Sequence, residues 1–320
     1  MTVSINRNRS ELWKEDHYAS VHLYNTWFMT GAPDAYREAR AKVVANVESL
    51  FRATNYMRDL TPDILLANPE VVSTLRQTTA PPLAVDRLMG LAYADNNLMK
   101  NLEAGRLPKR MKSAVLRENL ERVCQVIDQL LDRTLFEWLE DGSDPTPQQL
   151  EVASVVVGDR RANVLANPVI RNVQEARQMA VIEEWLKGRG YTHLQVPAGT
   201  DIHEMAPGTY SIHQNVPVFS ADKKRTNMPI DIVIQPFKPL DSGMPLLVEA
   251  KSAGDETNTN KRRKEEAQKA AQLRSTYGEK TDLVLFLTGY FAAGYLGYEA
   301  QERIDWVWEH RVEDFALAGL

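Results

Sequence analysis

The sequence predicts an α/β (α+β) chain: an all-helical N-terminal region, residues 1–165, followed by a central mixed β-sheet flanked by helices, residues 166–320. Three observations predict it. Apolar residues recur every three or four positions through the first half, where no alternating strand is written. From about residue 168, β-rich segments interleave with helical ones, the order of a sheet covered on both faces. Prolines and glycines gather between those segments, as in the loop PFKPLDSGMP.

The clearest helical stripe places Leu116, Leu120, Val123, Ile127, Leu130 and Leu135 on one face. Helix starts are also written locally. Thr61-Pro62 and Thr146-Pro147 set a capping hydroxyl before a proline at the first helical position, and Asp34 after Pro33 marks another start. Heptads are not sustained, so an intermolecular coiled coil is not expected. Arg171 to Leu186 reads as a helix closing at Gly188 or Gly190, and polar, β-rich segments run on through Val218. Ile230–Gln235 and Leu246–Lys251 read as neighbouring strands. A basic helix from Asn258 to Tyr277 follows, then a buried strand from Asp282 to Leu287. In the aromatic tail, Tyr290, Phe291, Tyr295 and Tyr298, and after them Trp306 and Trp308, read as core rather than as base-stacking platforms.

Composition narrows the function classes. With 43% hydrophobic and 25% charged residues among 320, the chain is an ordinary globular protein. Cys124 is the sole cysteine, which excludes a disulfide framework and a cysteine-based zinc site and fits a reducing cytoplasm. The N-terminus has no apolar leader, and the uncharged run Leu283–Tyr298 is broken by glycines and tyrosines, so neither secretion nor a membrane span is expected. The six histidines lack metal-ligand spacing, and neither a GxxxxGK[ST] nor a GxGxxG loop occurs. A net charge of -5 argues against indiscriminate DNA coating, whose affinity comes from many phosphate contacts. A DNA enzyme must instead concentrate positive charge locally. Three runs could do so: Lys109, Arg110 and Lys112; Lys223, Lys224 and Arg225; and Lys261, Arg262, Arg263 and Lys264. A solvated face is the alternative for each.

The chemistry lies in LLVEAKSAGD and PIDIVIQP. Residues two apart on a strand share a face, so Glu249 and Lys251 project together while Val248 and Ala250 pack against the other layer. Asp231 points away from Ile230, Ile232 and Ile234, and antiparallel pairing of the two strands would bring it beside Glu249. Two adjacent carboxylates repel unless a divalent cation keeps both ionised. Asp231, Glu249 and the Ala250 carbonyl form a hard-oxygen set suited to Mg2+, for which Mn2+ would substitute. Lys251 would position or help deprotonate an attacking water, or neutralise charge developing on a phosphorane. This is the PD-(D/E)xK nuclease pattern. A structural ion pair between Lys251 and Glu249 is the alternative, and a bare ExK triplet would not decide between them.

A longer resemblance adds to this. EAKSAGDETNTNKRRKEEAQKAAQLRSTYG and LFLTGYFAAGYLGYEAQERIDWVWEH resemble the XamI-type family of type II restriction endonucleases. TAPPLAVDRLMGLA, Asp159 to Arg161, and NPVIRNVQEARQMAVIEEWLKGRGY are similar too, so the likeness runs from about residue 80 onward. It implies a restriction-endonuclease-like core and metal-dependent, site-specific cleavage of double-stranded DNA, with a companion methyltransferase protecting the host. By the family's example the expected target is the palindrome GTCGAC. Ile230 stands where the motif's name has proline, and Pro229 lies one place earlier. Many such nucleases add a helix-borne glutamate, for which Glu175 is the candidate, with a surface or capping role as its alternative. Asn258, Asn260 and the Lys261–Lys264 run are the expected DNA contacts beside Lys223, Lys224 and Arg225. A palindromic site implies a homodimer, with the N-terminal helices as candidate interface. Two rivals remain at this stage: a repair or junction-resolving nuclease with the same core, and a DNA-binding regulator that has lost activity.

Overall fold

The structure, a computed structural model, describes residues 4–197, 201–219, 224–240, 242–256 and 259–320, the side chains of Val44 and of 259–262 excepted. It forms two compact units. One comprises Pro33–Ile170, and the other the residues up to Ala32 together with Arg171–Leu320.

The first half is helical, as expected: α1 (Trp13–Ala53), α2 (Pro62–Ala67), α3 (Val72–Leu75), α4 (Val85–Ala92), α5 (Asn96–Glu103), α6 (Ser113–Leu130), α7 (Trp138–Asp141) and the start of α8 (Pro147–Gly188). In α6 the stripe of Leu120, Val123, Cys124 and Ile127 is buried in the core of the Pro33–Ile170 unit, and burial lifts the Cys124 thiol to about 12. Thr146 caps α8 reciprocally: its hydroxyl accepts the Gln149 N–H at 3.2 Å, while Gln149 Oε1 accepts the Thr146 N–H at 2.9 Å. Thr61 precedes α2, although its hydroxyl makes no capping bond. The start expected at Asp34 does not occur, because α1 runs straight through Pro33. Pro33 faces solvent, and the helix tolerates the hydrogen bond that it removes.

The division expected between residues 165 and 166 falls inside α8, and the N-terminal stretch belongs to the sheet-bearing unit. The cause is specific bonding. The buried Asp305 carboxylate accepts the backbone N–H groups of Ile5, Asn6 and Arg7 at 2.7, 2.8 and 3.0 Å, and Trp13 packs edge-on against Trp306 at 5.4 Å.

That unit holds β1 (Thr192–His193), β2 (Thr209–Phe219), β3 (Arg225–Gln235), β4 (Leu246–Ala253), α9 (Thr259–Tyr277), β5 (Leu283–Gly289), α10 (Ala293–Gln301) and β6 (Asp305–Trp308). The six strands lie in sequence order in one mixed sheet. β2, β3 and β4 pair antiparallel, while β1 pairs parallel with β2, and β5 with β4 and β6. Met179, Ile182 and Trp185 of α8 cover one face over Val248, Val284 and Phe286. Ala270 and Leu273 of α9 and Leu296 of α10 cover the other, over Leu247, Leu285 and Trp306. This is the expected α/β, restriction-endonuclease-like arrangement of a mixed sheet between helices. Phe291, Tyr295, Trp306 and Trp308 are buried core, as their spacing suggested, while Tyr290 and Tyr298 are half-buried. Among the described residues no helix is long and apolar enough to cross a membrane.

Candidate active site

β4 alternates as its sequence dictates. Leu246, Val248 and Ala250 pack toward α8, whereas Leu247 and Ala253 join the α9 side, which places Glu249 and Lys251 on the α9 face. β3 departs from strict alternation. Ile232 and Ile234 lie on the α8 side as expected, but Ile230 joins the α9-side core. β2 makes the same switch, with Tyr210 and Ile212 on the α8 side and Val216 and Val218 on the other. The switch occurs at His213, whose φ of 50° lies between the paired rungs Ile212↔Ile232 and Gln214↔Ile230. A positive φ on a non-glycine residue inside a strand marks a local distortion of the ladder. Asp231 faces this distortion, and its Oδ2 accepts the Ala250 N–H at 2.8 Å. The two strands thus bring Asp231 beside the EAK triplet, as the sequence anticipated.

Glu249 is only 3% exposed and is held from two sides. Lys251 Nζ donates to its Oε2 at 2.9 Å, and Lys269 Nζ, from α9, donates to its Oε1. Lys269 also donates to the Pro229 carbonyl at 2.5 Å. Burial first, and then the Glu249 charge, push the Asp231 carboxyl above its ordinary range, against the pull of Lys251, the Ala250 N–H and Lys269. For Lys251 burial opposes the charge, yet Glu249, joined by Glu266 and Asp231, outweighs it and holds the ammonium above the usual lysine value. In that form it donates to Glu249 and carries a positive charge into the cleft.

A cleft of about 390 Å³ opens here, lined among others by Arg171, Glu175, Glu249, Lys251, Glu266 and Lys269. Glu175, on α8, therefore shares the cleft with the EAK triplet, exposed and 3.9 Å from His213 Nε2. Val173, two residues earlier on the same helix, is exposed as well. Behind the cleft, Glu266 is buried and accepts the Tyr295 hydroxyl, and the fully buried Glu299 is pushed up to about 9 by burial and by Glu266. Gln178 ties α8 to the sheet, its amide reaching Lys251 O, Phe286 O and Thr288 Oγ1 at 3.3, 3.2 and 2.9 Å. Lys269, Glu266 and Gln178 went unnoticed in the sequence.

The expected DNA contacts are placed unevenly. Lys223 and Asn258 lie outside the described residues, as do the side chains of Asn260, Lys261 and Arg262. Lys224 and Arg225 are exposed at the head of β3, and Lys264 is exposed on α9. Arg263 is half-buried, its guanidinium 4.8 Å from the Tyr298 ring centroid, so it packs on α10 instead of extending freely. Among the described residues no group of three or more His, Cys, Asp or Glu side chains is gathered as a metal cluster.

A mixed sheet flanked by helices, with an acid on one strand beside an acid-x-lysine triplet on the next, defines a restriction-endonuclease-like protein. Residues 55–308 match the model of the XamI restriction endonuclease family, and the chain belongs to that family. It is 49% identical over 315 residues to the type II restriction enzyme SalI of Streptomyces albus G, covering 98% of this chain and 99% of that protein. It is 26% identical over 238 residues to the type II restriction enzyme XamI of Xanthomonas campestris pv. amaranthicola, covering 71% and 74% respectively. No solved structure matches the chain. The chain is a nuclease of the type II restriction class, and DNA is its substrate.

Proposed function

We propose that this nuclease cuts both strands of duplex DNA at the palindrome GTCGAC with Mg2+, leaving 5′-phosphate and 3′-hydroxyl ends. The observation that carries the reading is the convergence of Asp231, Glu249 and Lys251 from two paired strands, with Asp231 bonded to the Ala250 N–H between the other two. The donor set suits the ion. Asp231, Glu249 and the Ala250 carbonyl offer hard oxygens, and a carboxyl that Glu249 and burial push upward is one that a divalent cation would return to its ionised form. When bound, the ion would polarise the scissile phosphate and acidify a water; Mn2+ would serve in its place.

The chain's own groups do the rest. Lys251 donates to the attacking water or to a phosphate oxygen and offsets the charge that grows as the water oxygen bonds to phosphorus. The P–O3′ bond breaks, the 3′ oxygen takes up a proton, and the phosphate stays on the 5′ side. Glu175, which lines the cleft, would contact the same water or ion. Lys224, Arg225, Lys264 and their neighbours in sequence would meet flanking phosphates. A homodimer, with the N-terminal helices as interface, matches a two-fold target, and a cognate methyltransferase would protect the host's own sites in the cytoplasm.

Digestion of a plasmid carrying one GTCGAC site, with Mg2+, followed by sequencing of the ends, tests this. One linear product with 5′-phosphates at that site is expected. Nicking that follows DNA structure rather than sequence would favour a junction-resolving enzyme, and tight binding without turnover in Mg2+ or Mn2+ a regulator; either defeats the proposal.

A further inference from the structure

Lys269 is a cation at Glu249 that neither the strand motif nor the family resemblance singled out. It reaches across from α9, its side chain 18% exposed, and its ammonium sits between Glu249 Oε1 and the Pro229 carbonyl. A carboxylate and a main-chain carbonyl are the kind of ligand a hard divalent cation takes. Lys251 meanwhile holds Oε2 of the same carboxylate. Both oxygens of Glu249 are thus engaged by ammonium groups, and an ion that approaches that carboxylate meets a positive charge on either side. Lys251 is confined by its place on the same strand, two residues away. Lys269 has the same flexible arm but is anchored on another element, α9, so it can withdraw without disturbing the strand motif.

Charge points the same way. Lys251 and Lys269 already face the acids Asp231 and Glu249, with Glu266 behind them. A divalent ion added there sets two more positive charges beside two ammonium groups, which is costly where water is excluded. The balance improves if Lys269 withdraws and if a DNA phosphate enters with its negative charge.

We propose that Lys269 is a resident counter-ion of the cation site: it holds Glu249 while the divalent ion is absent and moves to a DNA phosphate when ion and DNA enter together. This rests on the reading of Asp231 and Glu249 as cation ligands. It makes ion binding and DNA binding mutually reinforcing, since each removes the obstacle to the other, and such coupling is reciprocal.

The test is calorimetric titration of the full-length protein with Mn2+ in the absence of DNA. Lys269→Met keeps the aliphatic stem and removes the charge; Lys269→Gln keeps an amide donor should the first variant fold poorly. Either should bind Mn2+ at least about tenfold more tightly than the wild type, the effect of removing one unit charge a few ångströms away in a partly screened site. Single-turnover cleavage at saturating Mn2+ should fall. In the wild type, an uncleavable phosphorothioate duplex should tighten Mn2+ binding by a comparable factor. Unchanged or weaker Mn2+ affinity in the variants, or no effect of the duplex, overturns the proposal. Such a result, alongside loss of cleavage in Asp231→Asn and Glu249→Gln, would leave the nuclease site standing and remove only the role of Lys269. Cleavage that survives in both acid variants would remove the site assignment itself.

Discussion

Asp231 Oδ2 takes the Ala250 N–H at 2.8 Å just past Ile232↔Val248, the last main-chain rung between β3 and β4. A side chain thus continues where the ladder stops. The bond fixes Asp231 against the peptide that separates Glu249 from Lys251, so the acid of one strand and the acid-lysine pair of the next move as a unit.

From that linkage, Asp231→Ala and Lys251→Ala should each reduce cleavage by about a hundredfold or more, the usual loss when a preorganised electrostatic group is removed. DNA affinity should change little, because most of it comes from phosphate contacts elsewhere. Plasmid digestion and gel-shift measurements on the purified variants check both halves. Full activity in either variant would remove these residues from the active centre.

The sheet and the meeting of Asp231 with the EAK triplet were legible in sequence because period-two patterning in LLVEAK and an isolated aspartate among isoleucines leave few alternatives. The distortion at His213 was not, since the residue that takes a positive φ is a histidine in an ordinary-looking strand and nothing local requires it. That is also why Ile230 changes sides. Lys269 was missed for a different reason. Attention went to the dense charge of Lys261–Lys264, although Glu266, Lys269, Ala270 and Leu273 follow helical spacing, and two of them are core. The N-terminal stretch falls to the helical region on apolar periodicity; its membership of the sheet-bearing unit depends on Asp305, some three hundred residues away in sequence, and no local pattern encodes that.

Glu299 gives a prediction about pH. Burial and Glu266 raise it from about 4.5 to about 9, so the folded protein keeps a proton that the unfolded chain releases. Between those values the native state binds more protons than the unfolded one, and stability falls as pH rises. Glu299→Gln abolishes this dependence while keeping a donor for Glu266. The variant should match the wild type near pH 4.5 and exceed it progressively toward pH 9, on the order of 1 kcal/mol per pH unit and up to several kcal/mol in all, a shift of several degrees or more in Tm. Thermal melts across that range decide it; an advantage that does not grow with pH would contradict the assigned shift.

Phe286 tests the α8-side core. It is fully buried on β5 and stacks on Phe315 with centroids 5.8 Å apart. Phe286→Ala should destabilise the sheet-bearing unit by about 3–5 kcal/mol, whereas Phe286→Leu, which preserves most of the volume, should cost under about 1.5 kcal/mol. Urea unfolding followed by tryptophan fluorescence reads this unit through Trp185, Trp306 and Trp308. Equal effects of the two substitutions would mean that the site relaxes around the missing ring.

Gln178 connects stability to catalysis. Its amide nitrogen serves two carbonyls and a hydroxyl, one of them the carbonyl of Lys251, and the side chain is 1% exposed. Gln178→Leu removes the donor and leaves buried acceptors unpaired, a loss of about 1–3 kcal/mol. Gln178→Glu is sharper. As a carboxylate it would set negative charge against two carbonyl oxygens, but burial raises its pKa, and once protonated it regains a single O–H donor. Its defect should therefore be greatest at alkaline pH and shrink as the pH falls, whereas the leucine variant keeps a constant ratio to the wild type. Single-turnover cleavage rates from about pH 6 to pH 9 separate the two behaviours. Parallel profiles for the glutamate and leucine variants would show that Gln178 fills space beneath β4 without orienting the strand that carries Lys251.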